Sequence, residues 1–429
     1  MRVYFDMVGC RLNQAEIEQM AGQFRAAGHE VVDSAQGAEL AIVNTCAVTS
    51  DAAAVSRQVI RRIAREGVGQ IIPTGCWATL QPKDAASLPN VLQVVNNQQK
   101  DNLVAGILHP SSPTLHSFDW EPLERAPLPG LHRRTRAFIK VQDGCDNACT
   151  FCVTTVARGE GRSRPLADVI RDAQLSLAGG AKEIVLTGVH LGSWGQEWGH
   201  RLRDLVAAIL RETDTPRLRL SSLEPWDLDA SFFDLWQDSR LCRHLHLPLQ
   251  SGSRTVLRRM ARKTTPESFR ALVAAARRAM PEVAITTDVI AGFPGETEEE
   301  FAETLEFVRE MGFAGGHVFT YSARPGTAAA RMRGQVRPEV RKKRNAILRE
   351  AFNESAQVYR RRFVGRIMSV LWESASELNE RGSQMEGWTE NYLRVRATAP
   401  SPRWNMVDNT KLSALTDEGY SGNIVLAES

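Results

Sequence analysis

Two rhythms of apolar and polar residues run along this chain, and the change between them divides it. In residues 1–107, short apolar runs at Arg2–Asp6, Leu40–Thr45 and Gln70–Thr74, with a fourth at Leu92–Val95, alternate with the helical periods Asn13–Ala27 and Ser50–Arg65. Strand-length runs spaced by amphipathic helices predict a parallel sheet with helices on its faces. Residues 108–131 interrupt the pattern with Pro110, Pro113, Pro122, Pro127 and Pro129 and read as a linker.

From residue 132 the strand–helix rhythm resumes. Strands are predicted at Ala137–Val141, Glu183–Thr187, Arg217–Ser221, His244–Leu247, Ala284–Ile290 and His317–Tyr321. Helices fall between them at Ala167–Ala178, Leu202–Glu212, Pro266–Met280 and Glu298–Met311. Six such units predict a partial (βα)6 barrel, with its chemistry at the carboxyl ends of the strands. Pro338 opens a long helix reaching Phe363, with Val340, Ile347, Ala351 and Val358 on its apolar face. Residues 364–429 change to short strands at Arg366–Trp372, Gly387–Trp388, Tyr392–Thr398, Lys411–Leu415 and Asn423–Leu426. That is the pattern of a small all-β barrel of the oligonucleotide-binding kind. The fold class is therefore α/β, in four segments: 1–107, the linker 108–131, a core at 132–363 and the barrel at 364–429.

Composition narrows the class. Hydrophobic content of 43% and charge of 24% are those of a soluble globular protein. Met1–Met7 reads as a strand rather than a signal peptide, and no apolar run is long enough to span a bilayer. The expected setting is cytoplasmic, without a membrane. Seven cysteines in that setting read as metal or redox ligands. Net charge is only +3, but residues 331–366 hold twelve Arg or Lys against three Glu. So local an excess points to a polyanion, or equally to a solvated helix face. Trp388, Tyr392 and Trp404, read as exposed, offer faces for base stacking; filling the barrel core is the equal alternative.

Cys145, Cys149 and Cys152 crowd into eight residues as C-x₃-C-x₂-C. A closed zinc site wants four ligands, and no fourth Cys or His lies between Cys145 and Glu183. A cubane held by three thiolates keeps one iron open, free to chelate the amine and carboxylate of S-adenosylmethionine. Cys10, Cys46 and Cys76 each follow a predicted strand, so all three fall on the one edge of a parallel sheet where ligands bind. They form a second candidate cluster site, three separate buried thiols being the bland alternative. Cys242 fits no such pattern and reads as a buried thiol. Other small and polar residues collect at the barrel's strand ends. Gly188, His190, Ser222, Glu224, Gln250, Asp288 and Gly292 are the candidate cofactor-binding residues, although any one alone reads as a loop or cap.

Assembled, these stretches resemble the radical S-adenosylmethionine methylthiotransferases along essentially the whole chain. The likeness is carried by Gly9–Gln14 with Glu16 and Glu18, by Asn44–Thr49, and by Thr74-Gly75-Cys76. It continues through Gln142–Cys145, Arg158-Gly159, Arg162–Arg164, Leu247–Ser253 and Gly292–Glu296. The last segment is similar to that family's RNA-binding TRAM barrel. Ser56–Arg62, Leu186–His190 and Gly387–Leu393 resemble the branch acting on N6-threonylcarbamoyladenosine, position 37 of tRNA, beside the anticodon. Thr154-Thr155 departs from the family, where many members have a proline.

The resemblance implies two [4Fe–4S] clusters. Cys145, Cys149 and Cys152 would hold one and Cys10, Cys46 and Cys76 the other, which presents sulfur. S-adenosylmethionine would serve as radical source and as methyl donor. The radical is needed because C2 of the purine is neither acidic nor nucleophilic. No catalytic side chain beyond the cluster ligands is expected. The implied partners are the tRNA anticodon loop and a low-potential electron donor such as a flavodoxin or ferredoxin. Two other readings remain: a methylthiotransferase of isopentenyladenosine tRNA or of a ribosomal protein, and a non-enzymatic metal- and RNA-binding protein.

Overall fold

The computed structural model describes residues 1–108, 135–376 and 382–425. The proline-rich linker expected at 108–131 lies, apart from residue 108, outside the described residues. The chain packs as two compact units. One comprises Met1–Gly180, Thr187–His190 and Ser322–Ala330; the other comprises Ala181–Leu186, Leu191–Tyr321 and Arg331–Ser429.

The first unit opens with β1 (Arg2–Met7), α1 (Arg11–Ala26), β2 (Glu30–Val32), β3 (Leu40–Thr45), α2 (Ser50–Arg65), β4 (Gln70–Thr74), α3 (Gly75–Leu80), α4 (Pro82–Ala86) and α5 (Leu103–Leu108). After the undescribed stretch come β5 (Arg136–Lys140), β6 (Gln142–Asp143), α6 (Thr154–Arg158), β7 (Arg162–Ser163) and α7 (Leu166–Ala178). The first four strands form a parallel sheet in the order β2-β1-β3-β4. β3 is buried along its whole length, which its unbroken apolar run requires of a central parallel strand. One face packs Val3, Phe5, Ile42 and Ile72 under Ile17 and Phe24 of α1. The other packs Tyr4, Ala41, Val43 and Ile71 under Ile60 and Ile63 of α2 and Trp77 of α3. Thr49 caps α2 by accepting from Ala52 N at 3.1 Å.

Leu92–Val95 is not a strand. It touches β4 through one bridge, Val91 to Ile71, with Leu92 N on Ile71 O at 2.9 Å and Val95 N on Pro73 O at 3.1 Å. Pro73 has no N–H to return the bond, so the ladder stops. Further on, β6 and β7 pair antiparallel, Gln142 opposite Ser163, and close the base of the loop that carries the cysteine triplet.

The second unit begins with β8 (Glu183–Thr187, its last residue belonging to the first unit), α8 (Leu202–Glu212), β9 (Leu218–Leu220), β10 (His244–His246), α9 (Arg254–Arg259) and α10 (Pro266–Ala279). Then come β11 (Ala284–Ala291), α11 (Glu298–Met311), β12 (Gly315–Thr320) and α12 (Pro338–Arg361). β8 pairs with β9, and β10-β11-β12 form a second parallel set. The bridge between Ser222 and His246 carries the series across. The strands thus run parallel in sequence order as an open arc, the partial barrel the rhythm predicts.

α12 buries Arg344, Leu348, Ala351, Phe352, Ala356 and Tyr359. Of the expected apolar stripe, Ala351 is buried, but Val358 is 64% exposed. Two aromatics set the seam instead. Phe352 packs on Phe313, and Tyr359 on Phe363; each offers more apolar area than a valine.

The chain ends in β13 (Ile367–Ala375), β14 (Ser383–Thr389), β15 (Arg394–Ala399), β16 (Val407–Thr416) and β17 (Gly419–Ile424). They close into a barrel in the order β13-β14-β15-β17-β16, around Val370, Trp372, Val395, Leu412 and Tyr420. The aromatics expected to be exposed are not: Trp388, Tyr392 and Trp404 are each half-buried. Tyr392 is sandwiched between Trp388 and His244, with 4.8 Å between ring centroids on each side. Its faces are therefore occupied within the protein.

Candidate metal centres

Cys145, Cys149 and Cys152 are half-buried cysteines, in no disulfide, on the loop between β6 and α6. The loop is fixed by its own backbone. Cys145 N donates to Gly159 O at 3.0 Å, and Cys152 N donates to Cys149 O at 3.0 Å, so the last two cysteines share one tight turn. Asn147 lies within the triplet and points two donors at Cys145 Sγ, its N at 3.4 Å and its Nδ2 at 3.3 Å. The His190 ring also hydrogen-bonds that thiol and lies 3.2 Å from Asn147 Nδ2. Burial pushes the Cys145 thiol up. The hydrogen bonds from His190 and Asn147 outweigh burial and leave it below its ordinary value. The thiolate is the form that binds metal.

The N-terminal cysteines sit on three turns at one sheet edge. Cys10 is the residue before α1, Cys46 follows β3, and Cys76 is the second residue of α3. Two glycines let these turns press together. A Cβ on Gly9 would come 2.8 Å from both Cβ and Sγ of Cys46. One on Gly75 would strike Thr45 O and Asn44 Oδ1. Their φ angles of 113° and 90° are ones glycine adopts at little cost. Burial pushes the Cys46 thiol up to about 11, and its neighbours Cys10 and Cys76 add to the effect. Cys46 and Cys76 are buried; Cys10 is exposed.

Among the described residues, no three His, Cys, Asp or Glu side chains gather closely enough to hold a single metal ion. A mononuclear zinc site needs that shared centre, whereas thiolates on a polynuclear cluster bind separate corners. The donor chemistry fits a cluster at both places, three soft thiols in no disulfide at each.

The remaining candidates fall into two groups. In the first unit, Gly188 packs on Gln142, where a Cβ would come 3.1 Å from its Cβ and Oε1. Gln142 Oε1 accepts from His190 N at 2.7 Å, so this glutamine ties the 187–190 turn to the hairpin of the triplet. In the second unit, Asp288 lies between His246 Nε2 at 3.3 Å and His317 Nδ1 at 3.2 Å. Burial pushes the Asp288 carboxyl up, but hydrogen bonds from the two histidines hold it well below the carboxylate range. Glu224 is engaged by Arg262 Nη2 at 2.6 Å, and that guanidinium lies over the Trp226 ring. Ser222 bridges to His246. Gln250, at φ 71°, extends the ladder beside β11 by donating to Asp288 O at 2.8 Å. Gly292 N donates to the Glu296 carboxylate at 3.2 Å. Cys242 is buried, 3.9 Å from Glu183 Oε2.

The sequence alone assigned no role to the side chains of Asn147, Gln142, His246 and His317. The first was legible as a polar residue inside the triplet. His246 was legible as a polar position two residues from His244 on one strand, and His317 as the one basic residue of the predicted strand His317–Tyr321.

Residues 139–308 match the radical SAM superfamily, and residues 2–96 match a family described as uncharacterized protein family UPF0004. The fold of the chain also resembles that of the radical S-adenosylmethionine methyltransferase TsrM from Kitasatospora setae, with a TM-score of 0.55 and 16% identity over 74% of this chain and 72% of that one. Fold and thiol triplet thus define a radical S-adenosylmethionine enzyme, a class that works with S-adenosylmethionine and a [4Fe–4S] cluster. The threonylcarbamoyladenosine tRNA methylthiotransferase MtaB of Bacillus subtilis is 38% identical over 92% of this chain and 89% of its own. The tRNA-2-methylthio-N(6)-dimethylallyladenosine synthase of Bacillus licheniformis is 30% identical over 99% and 86%. The chain belongs to the threonylcarbamoyladenosine tRNA methylthiotransferase family. Among the described residues, no helix is long and apolar enough to cross a membrane.

Proposed function

We propose that this enzyme adds a methylthio group to C2 of N6-threonylcarbamoyladenosine at position 37 of tRNA, using two cysteine-held clusters. The reading is carried by one observation: a single unit presents two separate trios of cysteines in no disulfide, one on the β6–α6 loop and one at the sheet edge. Cys145, Cys149 and Cys152 would hold the first cluster, and Cys10, Cys46 and Cys76 the second. Bound there, a [4Fe–4S] cluster would supply the electron for reductive cleavage of the sulfonium bond of S-adenosylmethionine.

The side chains have supporting tasks. Asn147 and His190 stabilise the Cys145 thiolate by hydrogen bonding. Gln142 holds the 187–190 turn against the triplet's hairpin. The polar arc face around Asp288 orients what binds there. A base edge hidden in a stack must be taken from a loop or flipped out, and an anticodon loop offers such bases. A low-potential carrier such as a flavodoxin or ferredoxin would deliver the electrons.

The test pairs metal analysis with nucleoside analysis. After anaerobic reconstitution, about eight irons per chain are expected, and replacing either trio by alanine should remove about half. Nucleosides from tRNA of a deletion strain should lack the 2-methylthio form of threonylcarbamoyladenosine and keep that of isopentenyladenosine. Tight zinc without iron, or loss of the isopentenyladenosine product instead, overturns the reading.

A further inference from the structure

The turns that carry the N-terminal thiols are each addressed by an asparagine. Asn13 lies 3.8 Å from Cys10 Sγ through its Oδ1, and its Nδ2 donates to Thr45 O at 3.2 Å, beside Cys46. Asn44, two residues before Cys46, donates to Asn13 O at 3.1 Å. Asn97 donates to Cys76 Sγ at 3.7 Å and to Ala157 O at 2.9 Å.

Asn13 and Asn44 converge on a buried hub of charge. Glu16 Oε2 receives Lys100 Nζ at 2.7 Å and Asn44 Nδ2 at 3.0 Å. Glu16 Oε1 receives Arg158 Nη1 at 2.9 Å. Lys100 also donates to Asn44 Oδ1 at 3.2 Å, and Arg158 Nη2 to Asn13 Oδ1 at 2.9 Å. Asp143 accepts from Arg158 at 2.9 Å. Lys140 Nζ stands 3.6 Å from both Glu16 and Asp143. Asp143 and Arg158 flank the loop of the other thiol trio, so one hub anchors both cysteine-bearing segments.

The hub is not charge-balanced. Three cations, Lys100, Lys140 and Arg158, meet two carboxylates, Glu16 and Asp143, and all five side chains are at most 7% exposed. At the hub's rim Asp101, 58% exposed, pairs with Lys140 at 2.6 Å, and Arg162, 44% exposed, stands 3.6 Å from Asp143; one carboxylate and one cation offset each other and leave the buried excess of one positive charge. Burying charge costs several kcal/mol per ion, and apolar residues of similar size would often stabilise the fold as well. An excess of buried positive charge is favourable where it meets an anionic group; Arg158 interacts electrostatically with the sulfurs of Cys10 and Cys76, and Lys100 with that of Cys76. The potential of an iron–sulfur cluster follows its surrounding charge and the hydrogen bonds to its sulfurs.

We propose that Lys100 and Arg158 are positioning residues for the Cys10–Cys46–Cys76 trio. They fix its turns through Asn13 and Asn44, and their excess charge raises the reduction potential of the cluster bound there. The proposal rests on the ligand reading given above.

The test uses the full chain with Cys145, Cys149 and Cys152 changed to alanine, which isolates the N-terminal site. Iron content and an EPR-monitored redox titration are read after anaerobic reconstitution, with thermal melting as the folding control. The parent should hold about four irons. Lys100→Met should shift the midpoint to lower potential, and Glu16→Gln should shift it higher. The Glu16→Gln/Lys100→Met double variant, whose net charge equals the parent's, should return toward the parent. A merely structural hub would move both single variants the same way or not at all, and either result overturns the proposal. Should Lys100→Met fail to fold, a Glu16→Gln midpoint that is unmoved or lowered overturns it alone. A parent without iron defeats the ligand reading itself; an iron-loaded parent without opposite shifts defeats only the hub.

Discussion

Glu183 stands at the start of β8 with Arg219 folded onto it, Nε to Oε1 at 2.6 Å and Nη2 to Oε2 at 3.2 Å. Neither side chain is more than 1% exposed. Removing one member of such a pair leaves the other charged and dry, at a cost of about 3–5 kcal/mol. Glu183→Gln should therefore lower the unfolding free energy of the second unit by about 3 kcal/mol, read from denaturant midpoints. Glu300 makes a different prediction, in pH. Hydrogen bonds from Arg259, helped by Thr255 and the Thr297 amide, lower its carboxyl from 4.5 to about 2 against the burial that raises it. The folded state then binds fewer protons than the unfolded state between those values. Its contribution is complete above about 4.5 and is lost as pH falls through about 2. A Glu300→Gln variant should show a shallower loss of stability across that window in a pH series of melts. An unchanged slope would put the acid sensitivity elsewhere.

At the scale of elements, the loop from Trp388 to Tyr392, joining β14 to β15, is docked on the arc. Arg219 donates to Glu390 O at 3.0 Å, Arg217 to Trp388 O at 3.2 Å, and Arg243 to the Glu390 carboxylate at 3.0 Å. Tyr392 is stacked on His244, with the Arg219 guanidinium 4.8 Å over its ring. Tyr392→Ala should cost about 2 kcal/mol and make the segment between α12 and β13 more open to limited proteolysis. Resistance equal to the parent's would mean the polar contacts hold the loop alone. The sequence invited a different use of this loop, as a platform for bases, because an aromatic beside polar residues looks the same whether its partner is RNA or another strand. The main strands and long helices were legible, since each carries its own period and caps, such as Thr297 with Glu300 at the start of α11. What escaped was decided by packing. β2 is only three residues long, and α3 is a single short helix that starts at Gly75. The cysteines stood out by chemistry and spacing. The hub beside them did not, because Glu16 lies 84 residues from Lys100 and 142 from Arg158. Isolated charged residues at such separations read as surface.

For the whole molecule the question is how much of the basic segment is free to meet a polyanion. Part of it is used internally. Arg344 is buried on Glu296 at 2.7 Å, and Arg341 donates to Tyr321 O at 2.6 Å. Arg362 donates to Pro281 O at 2.7 Å, and Arg366 pairs with Glu282. Arg337, Lys342, Lys343, Arg349 and Arg361 are exposed along α12 and its approach. Each phosphate neutralised on a single strand steepens the fall of log K with log salt by about 0.7, so binding through a few of these charges must weaken steadily as salt rises. Lys342→Ala/Lys343→Ala should flatten that slope by about 1.4 while leaving the melting temperature unchanged, because neither side chain is buried. Arg344→Ala should do the reverse. It breaks a buried pair, so it should lower the melting temperature and leave the salt slope nearly as it was. Titrating tRNA at several salt concentrations against the two variants decides between them. Equal slopes for Lys342→Ala/Lys343→Ala and its parent would remove this face of α12 from the RNA contact.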